Sequence, residues 1–358
     1  DEAWQRIPMG AHLTTGYRLR LLPGRYPATS LVTYWEDRHG TDDAPIILEA
    51  TDGAHTAVFA GDINMYDVEY FALIGVDIDV NGDAFHCELC SHVLIRDSEM
   101  SGGGAAHETI KANQSQYLFV EDSDIHGAYE NAIDFVAVQY GHVTGSRIHD
   151  AGDWCMYAKG GSAYLTMSGN EVYDCGTGGI TAGQGSGFEY MVEPWLHYEA
   201  YGIRIGHGRQ ADYIEKVRIA GKGTIDMNAS NNVQPGFLVK DINACVLIHG
   251  RVRGVVVEGI TMTDTNRSVM CYGEHSGKFL PGGEVGPGES FDAEDITIQN
   301  TRTLNPNGAA YLLGHPSFRG HLRNVKCNHN YMETAVTAIE PNFNLDGYEI
   351  IGNVIKSG

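Results

Sequence analysis

Short runs of aliphatic and β-branched residues recur along the chain, each closed by Gly, Asn, Asp or Ser, and long helical periodicity is almost absent. One phrase keeps returning: two apolar residues separated by one position, then Ser or Asn, then another apolar residue. It reads Val93, Ile95, Ser98, Met100, then Leu118, Val120, Ser123, Ile125. It returns as Val143, Ser146, Ile148 and as Leu165, Met167, Asn170, Val172. The Ser/Asn markers at 98, 123, 146 and 170 stand 25, 23 and 24 residues apart. Looser echoes lie at Phe71, Leu73, Ile78, at Val255, Val257, Met262, at Ile296, Ile298, Thr303 and at Tyr348, Ile350, Asn353, Ile355.

A repeat of this length predicts a stack of units that bury their apolar faces only against neighbours. Strand punctuation without a helix per unit excludes leucine-rich and helical solenoids, and propeller blades need about 40–50 residues each. Three short strands in about 24 residues make a coil of a parallel β-helix. The 45 Gly fit its bends, and the 11 Pro are few, as strands paired on both sides require.

Counting from each marker predicts which side chains face out. Offset +12 gathers Ile110, Phe135, Ala158 and Ala182 as an inward stack, and offset +10 gathers Glu108, Ile133, Met156 and Ile180, inward but for Glu108. Strand alternation then turns +11 and +13 outward. Offset +11 holds Thr109, Asp134, Tyr157 and Thr181, and +13 holds Lys111, Val136, Lys159 and Gly183. Of eight lysines, two therefore share one outward column. With coils roughly 4.8 Å apart, Lys111 and Lys159 are expected roughly 9.6 Å apart, with Tyr157 between Asp134 and Lys159. Offset +7 makes neighbours of Glu130 and Asp153, close enough to share a cation. His126 and His149 share offset +3, a further place for metal or substrate contact.

The pattern breaks after Gly183. Residues 184–201 carry Tyr190, Trp195 and Tyr198 among other aromatics, and they leave the strand that bears the outward columns. A loop there is expected to stand as a wall on which sugar rings stack, unless it merely caps an apolar gap. A second excursion, 273–292, is rich in Gly, Pro and Glu and reads as a long loop.

With 24 Lys+Arg against 46 Asp+Glu, the chain carries a formal charge of −22. Nucleic acid is thereby excluded as a partner, and an acidic polymer is repelled except where a cation or local Lys and Arg reverse the field. No stretch approaches 18 apolar residues, so no membrane helix is expected. Seven Cys cannot all pair within one chain, and Cys87-x-x-Cys90 lacks the second pair of a zinc site, so buried free thiols are expected. One domain is expected over 1–358, with an irregular join between differing halves near 205–215. The opening at Asp1 without a leader suggests a processed form. The abrupt close after Ile355 suggests open coil ends that an oligomer could cap.

The phrases above, with the segments Glu130-Asn131-Ala132-Ile133-Asp134-Phe135 and Asp153-Trp154-Cys155-Met156-Tyr157-Ala158-Lys159, resemble the pectate-lyase-like superfamily of right-handed parallel β-helix proteins, most clearly over residues 65–205. Glu108-Thr109-Ile110-Lys111 is weakly similar to the lysine segment of alginate and chondroitin lyases. Gly223-Thr224-Ile225-Asp226 and Val257-Glu258-Gly259-Ile260-Thr261 look more like polygalacturonases, whose paired-Asp catalytic segments are missing.

The resemblance implies an all-β, single-stranded, right-handed parallel β-helix of about 22–26 residues per coil, secreted and acting on a polysaccharide. It further implies a lyase that cleaves a uronate polymer by β-elimination. Lys159 is then the base, Lys111 the partner of the substrate carboxylate, and Tyr157 and Asp134 complete the catalytic group. Tyr190, Trp195, Tyr198 and His126 are the substrate-binding candidates, and Glu130 and Asp153 the ligands of a Ca²⁺. Two other readings stand beside it: a glycoside hydrolase using Glu130 and Asp153 as paired carboxylates, and a glycan-binding or adhesive β-helix without turnover.

Overall fold

The computed structural model describes residues 1–103, 107–183, 198–206, 238–240 (backbone only), 244–273, 292–316, 320–342 and 344–357. The chain winds through about 11 turns of a parallel β-solenoid. A typical coil is built from Ile133–Val136, Gln139–Thr144 and Arg147–His149, and the next from Trp154–Lys159, Ser162–Ser168 and Glu171–Tyr173. The first two strands of each coil belong to a 24-stranded sheet bent around two faces, and the third to a 12-stranded sheet. Every coil pairs in parallel with the next, Ile133 facing Met156 and Ile148 facing Val172.

Inward columns explain why these residues form strands. Ile110, Ile133, Met156, Ile180, Val246 and Val269 stack in register, as do Ala112, Phe135, Ala158, Ala182, Ile248 and Cys271. All twelve are buried within one core that extends from Trp4 to Met332. At the N-terminal end, the short helix Glu2–Gln5 lays Trp4 against Trp35 and Phe71, with ring centroids 4.7 and 6.2 Å away, and so closes the first coil. The last coil leaves Tyr348, Ile351, Val354 and Ile355 exposed.

The recurring Ser/Asn has a structural cause. At its corner the ladder of backbone hydrogen bonds is interrupted, and the side chain of the next coil supplies the missing acceptor. Ser98 N donates to Ser123 Oγ at 3.2 Å, Ser123 N to Ser146 Oγ at 3.1 Å, and Ser146 N to Asn170 Oδ1 at 2.9 Å. Another corner is turned by left-handed residues, Tyr70, His92, Tyr117, Tyr140 and Tyr164, whose φ values lie between 51° and 60°. Such backbone is costly for a ring-bearing residue, and here it sets the five rings in a stack with centroids 4.2 to 5.3 Å apart.

Two expectations need correction. Cys155 and Cys175 form a disulfide, and only Cys87, Cys90, Cys245, Cys271 and Cys327 are free and buried. Within the expected loop 184–201, Ala200–Tyr201 is a strand paired with Ser162 and Ala163. Residues 184–197 lie outside the described ones, as do 274–291 of the second loop and 207–215 of the expected join. The coils on either side of that join pair directly, Ile180 with Val246 and Ala200 with Val252.

Candidate functional site

Along the outer face of the 24-stranded sheet one column runs Asn64, His86, Lys111, Asp134, Tyr157, Thr181, Leu247, Met270. The neighbouring outward column runs Tyr66, Glu88, Asn113, Val136, Lys159. Lys111 and Lys159 therefore do not share a column, contrary to the sequence count. The cause is the turn between Ser101 and Lys111, which is two residues longer than the turns from His126 to Asp134 and from His149 to Tyr157, although each pair is in register. Counting from Ser98 consequently keeps Lys111 on the outer face but moves it by two residues, into the neighbouring column. It also puts Glu108 and Ile110 one step out of place, for Ile110 stacks on Ile133.

Although they stand in different columns, the two amines reach the same carboxylate. Asp134 is fully buried, and both lysines converge on it: Lys111 Nζ donates to Oδ2 at 2.8 Å and Lys159 Nζ lies 3.3 Å from Oδ1. Lys111 Nζ also donates to Glu108 Oε1 at 2.9 Å. Lys159 Nζ stands 3.9 Å from the centre of the Tyr157 ring, a cation–π contact. Both lysine side chains keep some exposure, 24 and 19 %.

The environments push the two amines apart. Burial draws Lys111 down, but Asp134 and Glu108 together outweigh it and hold its pKa above the ordinary value. Burial dominates at Lys159, and the positive charge of Lys111 adds to it, so its pKa is lowered despite Asp134. Tyr157 is raised, by burial first and then by Asp134, Asp153 and Glu199, and keeps its proton at neutral pH. Glu108 is raised by burial against the pull of Lys111.

Three further residues belong to the patch, of which counting reached Thr181 but neither His86 nor Asn113. His86 is the register partner of Lys111, and burial lowers its pKa, so a neutral imidazole borders the amines. Its Nε2 is 3.3 Å from Nδ2 of Asn113. Thr181, beside Tyr157, is fully buried and its Oγ1 has no hydrogen-bond partner among the described residues. Of the two missed, only His86 left a usable trace, the alternation Phe85-His86-Cys87 one coil before Lys111, and only in the correct register. Gly178 serves the same surface: a Cβ there would stand 2.2 Å from Cζ3 of Trp154, whose ring lies 6.4 Å from that of Tyr157.

The column connects two hollows. At the Asn64 end, a groove of about 750 Å³ is lined by Arg25, Asn64, Asp79, Asn81, Asp83 and His107 among others. At the far end, about 310 Å³ is bounded by Met270, Tyr272, Leu312, His315 and Glu340 with three more residues.

The remaining candidates are dispersed. His126 lies in Asp124–His126 of the 12-stranded sheet, away from the lysine face, stacked on His149 at 5.0 Å and 3.3 Å from Glu99. Tyr198 packs on Tyr201, with the Arg251 guanidinium 5.0 Å from its ring centre. Tyr190 and Trp195 lie outside the described residues. Glu130 and Asp153 are neighbours through Asp153 N donating to Glu130 O at 2.8 Å, and both are half-buried. Among the described residues no third ligand joins them.

A family model described as the right handed beta helix region matches residues 61–215. No curated protein matches the chain by sequence. Among solved structures, the A-module of the Azotobacter vinelandii mannuronan C-5 epimerase AlgE4 is similar, with a TM-score of 0.61 at 12 % identity, over 95 % of this chain and 89 % of that one. The catalytic domain of a GH87 α-1,3-glucanase is similar over 94 % of this chain and 64 % of that one, with a TM-score of 0.52 at 10 % identity. A family 6 polysaccharide lyase from Pseudopedobacter saltans aligns over 98 % of this chain and 90 % of that one, with a TM-score of 0.45 at 12 % identity. At such identities the likeness is one of architecture, and on that footing the chain is a right-handed parallel β-helix protein, the fold that the pectate-lyase-like resemblance implied.

Proposed function

We propose that the chain is a polysaccharide-active enzyme that removes the proton α to the carboxyl group of a uronate unit, with Lys159 as base. One observation carries this reading: a wholly buried carboxylate, Asp134, is shared by two lysines whose environments drive their basicities in opposite directions. Lys159 is the amine more easily freed of its proton, as a general base needs to be. Lys111 stays an ammonium and pairs with the substrate carboxylate, on which negative charge develops as the C–H electrons move into it. Tyr157, still protonated, hands its proton to the glycosidic oxygen as the C–O bond breaks, leaving an unsaturated uronate end. The two hollows along the column suit an extended polymer better than a small metabolite. The similar folds of a mannuronan epimerase and a glucanase support a polysaccharide substrate.

Ca²⁺ belongs to this reading as a supporting ion. Glu130 and Asp153 would hold it, and it would supply charge to a bound carboxylate. Because Ca²⁺ takes about 6–8 oxygens, substrate and water have to complete its shell. The Cys155–Cys175 disulfide supports secretion into an oxidising compartment.

The test is a panel of uronate polymers assayed for ultraviolet absorbance of unsaturated ends, with and without chelator, on the protein and on Lys159→Ala. A rise lost in the variant supports the reading. Exchange of deuterium into polymer without such a rise makes the same proton abstraction an epimerisation. New reducing ends without unsaturation, surviving in Lys159→Ala, would make it a hydrolase acting through Glu130 and Asp153. Binding without any turnover would leave the glycan-binding alternative.

A further inference from the structure

A different cluster lies at a corner of the first full coils, outside the lysine patch. Strands Trp35–His39 and Ile63–Ile74 pair there, with His39 opposite Glu69. Asp37 and Asp67 are both left-handed, with φ of 53° each, and their carboxylates come together with the imidazole of His39. One ligand atom from each of the three residues lies within 4.8 Å of the others. His39 Nε2 is 3.3 Å from Asp67 Oδ2 and 3.6 Å from Asp37 Oδ1.

We infer that Asp37, His39 and Asp67 form a binding site for a divalent cation of the zinc type. Bonds of about 2.0–2.2 Å to nitrogen and oxygen place tetrahedral ligands about 3.3–3.6 Å apart, and His39 stands 3.3 and 3.6 Å from its two aspartates. The donor set points the same way, since an imidazole with carboxylates suits zinc better than calcium or magnesium. An independent sign is the state of the nitrogen itself. His39 Nε2 is shut off from solvent and makes no hydrogen bond, although two carboxylate oxygens stand beside it. A cation between them would satisfy that nitrogen and relieve the repulsion of two acids on adjacent coils. Arg38 does not fill this role: its side chain runs over the Trp4 ring and its Nη1 donates to the Glu36 carbonyl. Three protein ligands leave a fourth position for water, with the His12–Glu69 pair, 3.1 Å apart, alongside.

Such an ion would staple coil to coil near the N-terminal cap, so its signature is binding and stability rather than turnover. The full chain, dialysed against chelator, is titrated with ZnCl₂ by calorimetry, and its melting is followed with and without the metal. One equivalent of Zn²⁺ is expected, with a higher melting midpoint. Affinity should drop at least tenfold in Asp67→Asn, Asp37→Asn and His39→Gln, the first two being partly exposed positions where folding is safe. The absence of Zn²⁺ binding, or binding that all three variants leave unchanged because other histidines hold the metal, would overturn the assignment. Neither result touches the lysine patch, so this inference and the proposed function fail separately.

Discussion

The same stacking places titratable groups on both sheets, with opposite results. On the 12-stranded sheet His126, His149 and Tyr173 lie ring on ring, 5.0 and 4.5 Å apart, beside exposed or half-exposed acids such as Glu99 and Asp150. On the 24-stranded sheet Lys111, Asp134, Lys159 and Tyr157 meet with Asp134 entirely out of water. Periodic repetition alone makes a ladder of stacked rings and separate ion pairs. Chemistry needs in addition a buried charge that too many partners compete for, because only then do equal groups acquire unequal basicities.

That contrast can be broken most directly at Lys159. Lys159→Ala should lower turnover by about 10²–10⁴-fold, the usual worth of a positioned base, while its melting changes little; retained turnover would remove the chemical distinction between the sheets. Asp134→Asn leaves two amines without their shared acid, and denaturant unfolding should show a loss of up to about 3–5 kcal/mol. Cys155 sits in the strand that carries Tyr157 and Lys159, and Cys175 follows the strand that ends the histidine ladder, so the disulfide ties the two regions together. Opening this loop, whose ends are 20 residues apart, in Cys175→Ala should cost about 3 kcal/mol against the oxidised protein, a difference that should vanish when both are measured under reducing conditions.

A finer test is the pH profile. As the proposed base, Lys159 would act only when neutral, and its pKa is lowered, so kcat/KM should rise with pH to a midpoint below 10.5. The lysine's neighbours set the sign of any shift. Lys111→Met removes a charge that depresses Lys159 and should move the midpoint up, whereas Asp134→Asn should move it down. A midpoint indifferent to both would show that the amines are not coupled through Asp134. The smallest effect belongs to the other sheet: His126→Ala should leave turnover within about twofold and stability within about 1 kcal/mol, as exposed pairs do.

The architecture was legible because a Ser or Asn at each corner must accept a hydrogen bond from the coil before, which stamps a period on the chain. The lysine patch was legible only in part. Asp134 and Tyr157 follow coils of equal turn length, so counting puts them side by side. Lys111 follows a turn two residues longer, and counting from Ser98 sends it to the wrong column. His86 was hidden for the same reason, whereas counting put Thr181 beside Tyr157 and missed only its burial, which nothing in an isolated Thr reveals. The disulfide escaped because Cys155 and Cys175 are brought together by adjacent coils, and a separation of 20 residues carries no motif of its own.

The longer turn before Lys111 has a consequence for how such a surface changes over time. Strands keep their height in the stack while the turns between them absorb extra residues, so insertion and deletion leave the rungs undisturbed. Each rung can be repainted by single substitutions without moving its neighbours. A lineage built this way can try new arrangements of charge on a wall that is already standing, and descent is better traced by storey than by sequence position.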